Sequence, residues 1–444
     1  MKEINPSPCY IREFSLENVR CFGPRQSIDF CDAEGRWARW TVILGDNGVG
    51  KTTLLQCLWL MSPVALASES GVTPATTSRS LYRFKQWPGD PSHNLVEALA
   101  RDGKHCDLAI VIGYGNSTES DFGISWRLDD PNIDWQLPFE QSASMVCIAY
   151  GASRKPSSGQ VAAQADWDAA TLFEEGKFLT DAEEWFLRSD YAAKADDSGR
   201  MTRQHGQVRD LLLELLGVED LRVTGLDQRV AKPRLEAKNK AGAWLPVRSF
   251  SLGYRTSIAW IVDFALRLFE RYPDSENPLQ EPAVCLVDEI DLHLHPRWQR
   301  QLIAFLSRQF PRTQFIVTAH SPLVVQATEA AGTKLVVLRY DEAQGHVIID
   351  DEVESVRGWR IDQILTSELF GLEGPHSEAV NALYRRRAEL VMVGELDNEQ
   401  RAELVRIDAE LDQLPAGDSP QQRHAWDVLQ RVAAQIENRE DPGE

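Results

Sequence analysis

The chain has 444 residues, with 43% apolar side chains, 26% charged side chains and a formal net charge of −20. This length exceeds that of a usual compact domain and predicts two or three structural units, while the composition is typical of a globular protein. A chain this negative is not a general nucleic-acid binder by bulk electrostatics, and contact with DNA would need a local basic patch.

Targeting and cysteine patterns indicate a reducing compartment. The N-terminal sequence lacks the apolar stretch of a signal peptide, and no stretch reaches the roughly 20 apolar residues that a membrane-spanning helix needs. The seven cysteines are scattered and form no CxxC pair, which argues against a disulfide framework or a zinc knuckle. We therefore expect a cytoplasmic protein without membrane contact.

Strand and helix patterns alternate along the chain. In chain order they are strands at 10–20 and 41–44, a helix at 52–61, loop with short elements at 62–100, strands at 107–113 and 145–150, helices at 165–217, short strands at 222–245, a long helix at 253–271, strands at 284–288, 315–318 and 335–338, and helices beyond about 355. The last three strands are nearly unbroken apolar runs, as in a buried parallel sheet. The alternation predicts an α/β fold.

A glycine-rich loop lies between the strand at 41–44 and the helix at 52–61. Its sequence, GDNGVGKT at residues 45–52, matches the phosphate-binding pattern GxxxxGK[ST]. Glycines let successive N–H groups point at phosphate oxygens, and the helix N-terminus adds partial positive charge. The pattern predicts that Lys51 contacts the β- and γ-phosphates and that the Thr52 hydroxyl binds Mg²⁺. The alternative, a chance glycine turn, fits both flanking elements poorly.

Two adjacent acids, Asp288 and Glu289, end an apolar strand, at the place where α/β sheets bind ligands. Asp288 would bind Mg²⁺, directly or through water, and Glu289 would polarise the water that attacks the γ-phosphate. Such a pair can also be a helix cap with a solvated neighbour. The phosphate-binding loop in the same chain favours the magnesium interpretation.

A second anion site is indicated by SFSLGY at residues 249–254, just before the long helix. The Ser251 hydroxyl, the Gly253 N–H and the helix N-terminus are its donors. A chain that already holds the phosphates with one loop has little use for a second site on the same nucleotide. We therefore expect this site to cap the ATP of a partner copy; the alternative is an ordinary capped helix.

One histidine, His320, follows a buried strand in the sequence TAHSP at residues 318–322. A neutral imidazole there could hold the γ-phosphate and the attacking water. The alternative is a core or capping histidine.

The order and spacing of these motifs resemble the ABC ATPase superfamily, and within it the SMC, RecF and OLD group. GDNGVGKT is similar to that group's GxNGxGKT, DEIDLHLHP at residues 288–296 to its D-E-x-x-L-H-L-H-P, and LENVRCF at residues 16–22 to its N-F-R-x-F strand. The signature departs from LSGGQ, with Leu252 in place of a glycine and Tyr254 in place of glutamine. AYGASR at residues 149–154 and WRIDQIL at residues 359–365 resemble stand-alone bacterial ATPases of the Septu and retron-associated type.

The resemblance implies an ABC ATPase head, that is, an α/β P-loop NTPase with a mixed sheet, a helical insertion and a helical C-terminal region. The implied parts are an N-terminal lobe with the phosphate loop at 1–160, a helical insertion at 161–220, a C-terminal lobe with the signature, acid pair and switch histidine at 221–350, and an acidic helical region at 351–444. ATP and Mg²⁺ are the implied cofactors.

Motifs and resemblance together define the candidate site. The nucleotide-binding candidates are Arg20, Asn47, Gly48, Gly50, Lys51, Thr52, Thr53, Ser251 and Gly253. The catalytic candidates are Lys51, Glu289 and His320, and the magnesium candidates are Thr52, Asp288 and Gln86. The resemblance alone places Arg20 near the nucleotide, Gln86 in the lid loop and His320 at the switch position.

The resemblance also implies a head-to-tail dimer, or higher homo-oligomer, with ATP between the copies. Family members of this kind act in anti-phage defence beside a separate effector such as a nuclease. The alternative is a DNA-repair or chromosome-maintenance ATPase that clamps DNA directly. The net charge and the lack of a coiled-coil insertion favour the defence role.

Three other features are expected to be ordinary. His293 and His295 have no third ligand at a useful spacing for a metal site. The basic runs at 232–240 and 385–387 are expected to be solvated rather than to grip phosphate, although the first could form a nucleic-acid edge. Residues 355–444 show helices rather than the acidic α/β pattern of a nuclease.

Overall fold

The fold is taken from a computed structural model, which describes residues 9–32, 34–62, 64–65, 82–83, 106–114, 122–127, 134–136, 145–156, 168–196, 198–224, 233–328, 332–353, 356–372, 374, 376–392, 397–411 and 413. The chain divides into two compact units, Met1–Ile364 and Leu365–Glu444. The predicted lid-loop residue Gln86 lies outside the described residues. Within the described ranges, every helix is too short or too polar to traverse a bilayer.

The strands, in chain order, are β1 Cys9–Glu17, β2 Gln26–Asp29, β3 Trp40–Gly45, β4 Val64–Ala65, β5 Tyr82–Arg83, β6 Asp107–Tyr114, β7 Phe122–Arg127, β8 Asp134–Gln136, β9 Cys147–Tyr150, β10 Lys155–Pro156, β11 Phe178–Leu179, β12 Asp220–Thr224, β13 Arg234–Lys238, β14 Trp244–Pro246, β15 Ala283–Val287, β16 Thr313–Thr318, β17 Thr333–Asp341 and β18 His346–Asp350.

The α-helices are α1 Lys51–Met61, α2 Ala170–Phe173, α3 Ala182–Ala193, α4 Arg200–Leu216, α5 Leu252–Arg271, α6 Pro296–Gln309, α7 Pro322–Ala327, α8 Ile361–Thr366, α9 Glu378–Met392 and α10 Asn398–Leu411. The α/β class is therefore confirmed, as are the predicted strands at 107–113 and 145–150 and the long helix at 253–271.

The larger sheet has the strand order β18-β17-β3-β16-β15-β9. Its strands are parallel except for the antiparallel edge strand β18, so the sheet is mixed. The central strands are buried along nearly their whole length, as their apolar runs predicted. Because parallel strands end at the same edge, Gly45, Tyr150, Val287 and Thr318 lie along one carboxyl edge.

A second, antiparallel sheet has the order β2-β1-β6-β7-β8 and packs near the first. The side-chain amide of Gln314 in β16 joins the two sheets, since it accepts from the N–H of Ile11 and donates to its carbonyl, both at 2.8 Å. Helix α1 contacts strands of both sheets and is buried at every residue except Thr52. This packing fixes the helix that opens at the phosphate loop.

A third sheet, β12-β13-β14, lies beside α3 and α4 in the first unit. The region predicted as purely helical at 165–217 also contains β11, which pairs in parallel with β10. This short strand was missed because its two residues carry no periodicity, and the pairing partner fixes its conformation.

The second unit contains α9 and α10, which pack against each other. Leu390 of α9 and Ile407 of α10 are buried. Arg386 bonds the Glu403 carboxylate at 2.9 and 3.0 Å. The described residues of this unit are helical, as predicted.

Candidate functional site

The phosphate loop, residues 45–50, joins β3 to α1 and has positive φ at Gly45, Gly48 and Gly50 (144°, 85° and 89°). A Cβ at position 45 would lie 2.4 Å from the carbonyl oxygen of Leu338, and one at position 50 would lie 2.4 Å from Sγ of Cys21. Glycine is therefore required at positions 45 and 50 by backbone conformation and by space together. Neighbouring strands thus hold the loop in its curled form.

The loop has the donors that a polyphosphate needs. Helix α1 begins at Lys51 without a side-chain cap, so the N–H groups of its first turn are available as donors. The Lys51 ammonium donates to the carbonyl oxygens of Gly45 and Asp46, both at 2.8 Å. Burial lowers the pKa of Lys51, against the opposing effect of nearby carboxylates. Asn47 and Gly48 form the exposed tip of the loop.

The acid pair lies directly beside this loop. Asp288 is buried, and its Oδ2 accepts from the Thr52 hydroxyl at 2.7 Å. Its Oδ1 accepts from the Thr318 hydroxyl at 2.6 Å, and the same hydroxyl oxygen accepts from the N–H of Glu289 at 2.7 Å. The hydroxyl of Thr52 and the carboxylate of Asp288 are hard oxygen ligands of the kind that Mg²⁺ prefers, so the residues present fit this ion.

Two residues of this site received no role from the sequence. The Thr318 hydroxyl bonds the carboxylate of Asp288 and the main-chain N–H of Glu289. In the sequence, it is marked only as a polar residue at the end of the otherwise apolar run FIVT. Arg154 is buried and donates to the main-chain carbonyls of Asp288 and Glu289 at 2.5 and 2.8 Å. In the sequence, Arg154 belongs to the YGASR stretch after β9, and that pattern alone does not predict which residues Arg154 contacts.

Arg20 lies alongside the first turns of α1. Its guanidinium donates to Thr53 Oγ1 at 3.1 Å and to Gln56 Oε1 at 3.3 Å. Arg20 is exposed and has a positive φ of 44°. Arg20, which precedes α1 in the chain, thus contacts Thr53 in the first turn of the helix that follows the phosphate loop.

The signature sequence forms the start of α5, where Ser251 and Leu252 are exposed and Gly253 is buried. Ser251 is the N-cap residue without a side-chain cap bond, and Leu252 is 53% exposed. A Cβ at Gly253 would lie 2.1 Å from the carbonyl oxygen of His293, so the helix start packs closely on the loop after the acid pair. Among the described residues, no hydrogen bond joins Ser251 or Gly253 to residues 45–52.

The unusual tyrosine of the signature has a contact within its own chain. The hydroxyl of Tyr254 accepts from Nε1 of Trp298 at 2.7 Å, and the two rings meet edge to face with centroids 6.0 Å apart. Tyr254 therefore connects α5 to α6 through a hydrogen bond and a ring contact.

His320 follows β16 with an exposed side chain, and its N–H donates to Oδ2 of Asp291 at 3.0 Å. His295 caps α6 by accepting from the N–H of Arg297. No group of three or more potential metal ligands of the His, Cys, Asp or Glu type occurs in the described part of the chain.

The basic runs are largely paired with acids. Arg222 and Arg234 both bond Glu236, and Lys238 lies 3.4 Å from Glu219. In the helical unit, Arg386 and Arg387 pair with the acids Glu403 and Asp408. These pairs support the solvated interpretation of both runs, while Lys232 lies outside the described residues.

Two family models match separate parts of the chain. One, described as "AAA domain, putative AbiEii toxin, Type IV TA system", matches residues 185–326, which contain the signature, acid pair and switch histidine. Another, described as "AAA domain", matches residues 13–62, which contain the phosphate loop. Together with the relatives below and the site geometry, these matches support an ABC-type ATPase.

Its relatives include defence proteins of two kinds. The chain is 23% identical to Septu protein PtuA of Bacillus mycoides over 405 residues, which cover 90% of this chain and 50% of that protein. It is 25% identical to Septu protein PtuA of Bacillus thuringiensis over 352 residues, 76% of this chain and 79% of that one. Retron Vc95 probable ATPase of Vibrio cholerae is 41% identical over 97 residues, 22% of this chain and 19% of that protein. The chain is therefore similar in sequence to Septu and retron proteins.

The chain spans about half of the Bacillus mycoides relative and about a fifth of the Vibrio cholerae one. Among solved structures, the SMC head domain from Thermotoga maritima aligns with a TM-score of 0.41 and 14% identity, over 78% of this chain and 99% of that chain.

Proposed function

We propose that the chain binds ATP with Mg²⁺ and hydrolyses it. The observation that carries this proposal is the hydrogen-bonded set Thr52, Asp288, Thr318 and Glu289 beside the Lys51 ammonium. Thr52 and Asp288 would hold Mg²⁺, which would neutralise charge developing on the phosphates. Lys51 would bind the phosphates, and Glu289 would orient the attacking water.

Two copies would pair head to tail, with Ser251 and Gly253 of one copy against the nucleotide of the other. The exposed positions of Ser251 and Leu252 at the start of α5 support this pairing. Binding of ATP would add the γ-phosphate as a contact between copies, and hydrolysis would remove it.

Three variants test this function in assays of phosphate release, nucleotide affinity and mass by light scattering. We expect Lys51→Ala to abolish nucleotide binding and Glu289→Gln to bind ATP but remain trapped as an ATP-bound pair. The matched control is Glu281→Gln, two residues before β15 and thus at the opposite end of that strand from Glu289, which should hydrolyse ATP as the wild type does. A Glu289→Gln variant that hydrolyses ATP at the wild-type rate would refute the assignment.

The proposed biological role is control of a separate effector protein, such as a nuclease, in anti-phage defence. The Septu and retron relatives support this role, and the ion-paired basic runs give less support to a protein that clamps DNA directly. Co-purification with the products of neighbouring genes would test it. ATP-dependent, salt-sensitive DNA binding without a stable protein partner would instead favour the repair or chromosome role.

A further inference from the structure

Arg154 is a buried cation beneath the acid pair, only 2% exposed. It follows β9, the neighbour of β15 in the large sheet. A Cβ at Gly151 would lie 2.0 Å from the carbonyl oxygen of Thr171, so only glycine lets this loop pass so close to α2. The loop thereby brings the guanidinium under the end of β15.

The guanidinium donates hydrogen bonds to two successive main-chain carbonyls. One terminal nitrogen, Nη1, donates to the carbonyl oxygen of Asp288 at 2.5 Å, and the other, Nη2, donates to that of Glu289 at 2.8 Å. The planar, fixed spacing of these donors suits two acceptors side by side, and a lysine ammonium lacks it. Burial lowers the pKa of Arg154 to about 10, so the group stays charged at neutral pH.

These bonds act on a backbone that needs support. Glu289 has a φ of 48°, a left-handed conformation that residues with a side chain rarely adopt. Its N–H donates a hydrogen bond to the Thr318 hydroxyl, and its carbonyl oxygen accepts one from Arg154. If the hydrogen bond from Arg154 is removed, we expect the backbone of Glu289 to relax from this strained conformation and its carboxylate to change direction.

Arg154 also touches the helix that carries the signature. Its guanidinium carbon lies 5.9 Å from the ring centroid of Trp260 in α5. In the same helix, Asp263 accepts from the hydroxyl of Tyr150, the last residue of β9. The segment from Tyr150 to Arg154 therefore ties α5 to the main chain of the acid pair.

We propose that Arg154 is a positioning residue for ATP hydrolysis, which holds the main chain of Asp288 and Glu289 so that the Glu289 carboxylate faces the attacking water. Arg154 acts through these two residues and makes no contact with the nucleotide. This inference rests on the proposed ATPase function. It predicts a loss in kcat while nucleotide affinity is kept, because the phosphate loop is untouched.

The test compares Arg154→Gln and Arg154→Lys with a matched control, Arg39→Gln. Arg39 is partly buried, and its guanidinium, like that of Arg154, donates to two main-chain carbonyls, those of Ser307 and Phe310. It lies at the end of β3 away from the phosphate loop. We expect kcat to fall about 10- to 100-fold in both Arg154 variants while KM and nucleotide affinity change by less than about 3-fold. Arg39→Gln should lower the melting temperature and keep the wild-type kcat.

A second measurement separates positioning from general folding damage. In Arg154→Ala, millimolar guanidinium should restore part of the lost kcat, whereas ammonium at the same concentration should not. Arg154 variants that hydrolyse at the wild-type rate, or that lose nucleotide affinity and kcat together without guanidinium rescue, would overturn the inference. If the wild-type chain itself fails to hydrolyse ATP with Mg²⁺, the proposed function fails instead.

Discussion

Replacing Thr318 by valine tests whether one hydroxyl holds both acids. The side chain is fully buried, donates to Asp288 and accepts from the N–H of Glu289. Valine has nearly the same shape, so the substitution removes two hydrogen bonds and opens little space. A buried polar group without its partner costs about 1–3 kcal/mol, so two such groups should lower the free energy of unfolding by about 2–6 kcal/mol.

The same strand offers a matched control. Thr313 is equally buried, and its hydroxyl has no hydrogen-bond partner among the described residues. Thr313→Val therefore removes an unpaired polar atom, and we expect no loss of stability. The two variants differ only in the bonds that the hydroxyl makes.

Urea denaturation without nucleotide, followed by circular dichroism, gives both free energies of unfolding, and steady-state phosphate release gives kcat. We expect kcat to fall about 10- to 100-fold in Thr318→Val, because both acids lose their orientation, and to stay unchanged in Thr313→Val. If the two variants unfold at the same urea concentration and hydrolyse ATP equally fast, the hydroxyl does not hold the acid pair.

Three further changes test other parts of the first unit. Gly253→Ala places a methyl group 2.1 Å from the carbonyl oxygen of His293, so the start of α5 must shift, and light scattering should show weaker ATP-dependent pairing. Gly206→Ala, in open space within α4, should instead raise the melting temperature, because alanine favours a helix by about 0.5–1 kcal/mol. Burial lowers the pKa of His205 below its ordinary 6.5, because the folded protein favours the neutral imidazole. The folded state therefore has its full stability above pH 6.5, and part of that stability is lost as the pH falls through the lowered pKa. Melting temperatures taken down to about pH 5 should fall less in His205→Gln than in the wild type, and equal slopes would contradict this.

The parts of the site predicted from sequence are those with local constraints. The phosphate loop needs glycine at positions 45 and 50, lysine at the helix start and a buried strand before it, and all of these are neighbours in the chain. The acid pair was equally visible, because an apolar strand leads directly to it. The parallel core strands were predicted for the same reason, since burial on both faces requires an unbroken apolar run.

The parts that could not be predicted depend on contacts between distant segments. Arg154 donates to a carbonyl 134 residues further along the chain. Because every residue has a main-chain carbonyl, the sequence does not indicate which one Arg154 bonds. Thr318 bonds residues about 30 positions earlier, so its role appears only when β15 and β16 lie side by side. The partner of Tyr254, Trp298, lies 44 residues further along the chain in another helix.

The charges around the phosphate loop explain why nucleotide and metal would have to enter together. The carboxylates of Asp288, Glu289 and Asp291 all act on the Lys51 ammonium, which is a single positive charge. A polyphosphate placed at the loop would bring several negative charges close to these acids, and like charges repel strongly in a buried setting. A divalent cation held between Thr52 and Asp288 would turn that repulsion into attraction. The carboxylate that would hold the metal would therefore also make metal-free nucleotide a poor ligand.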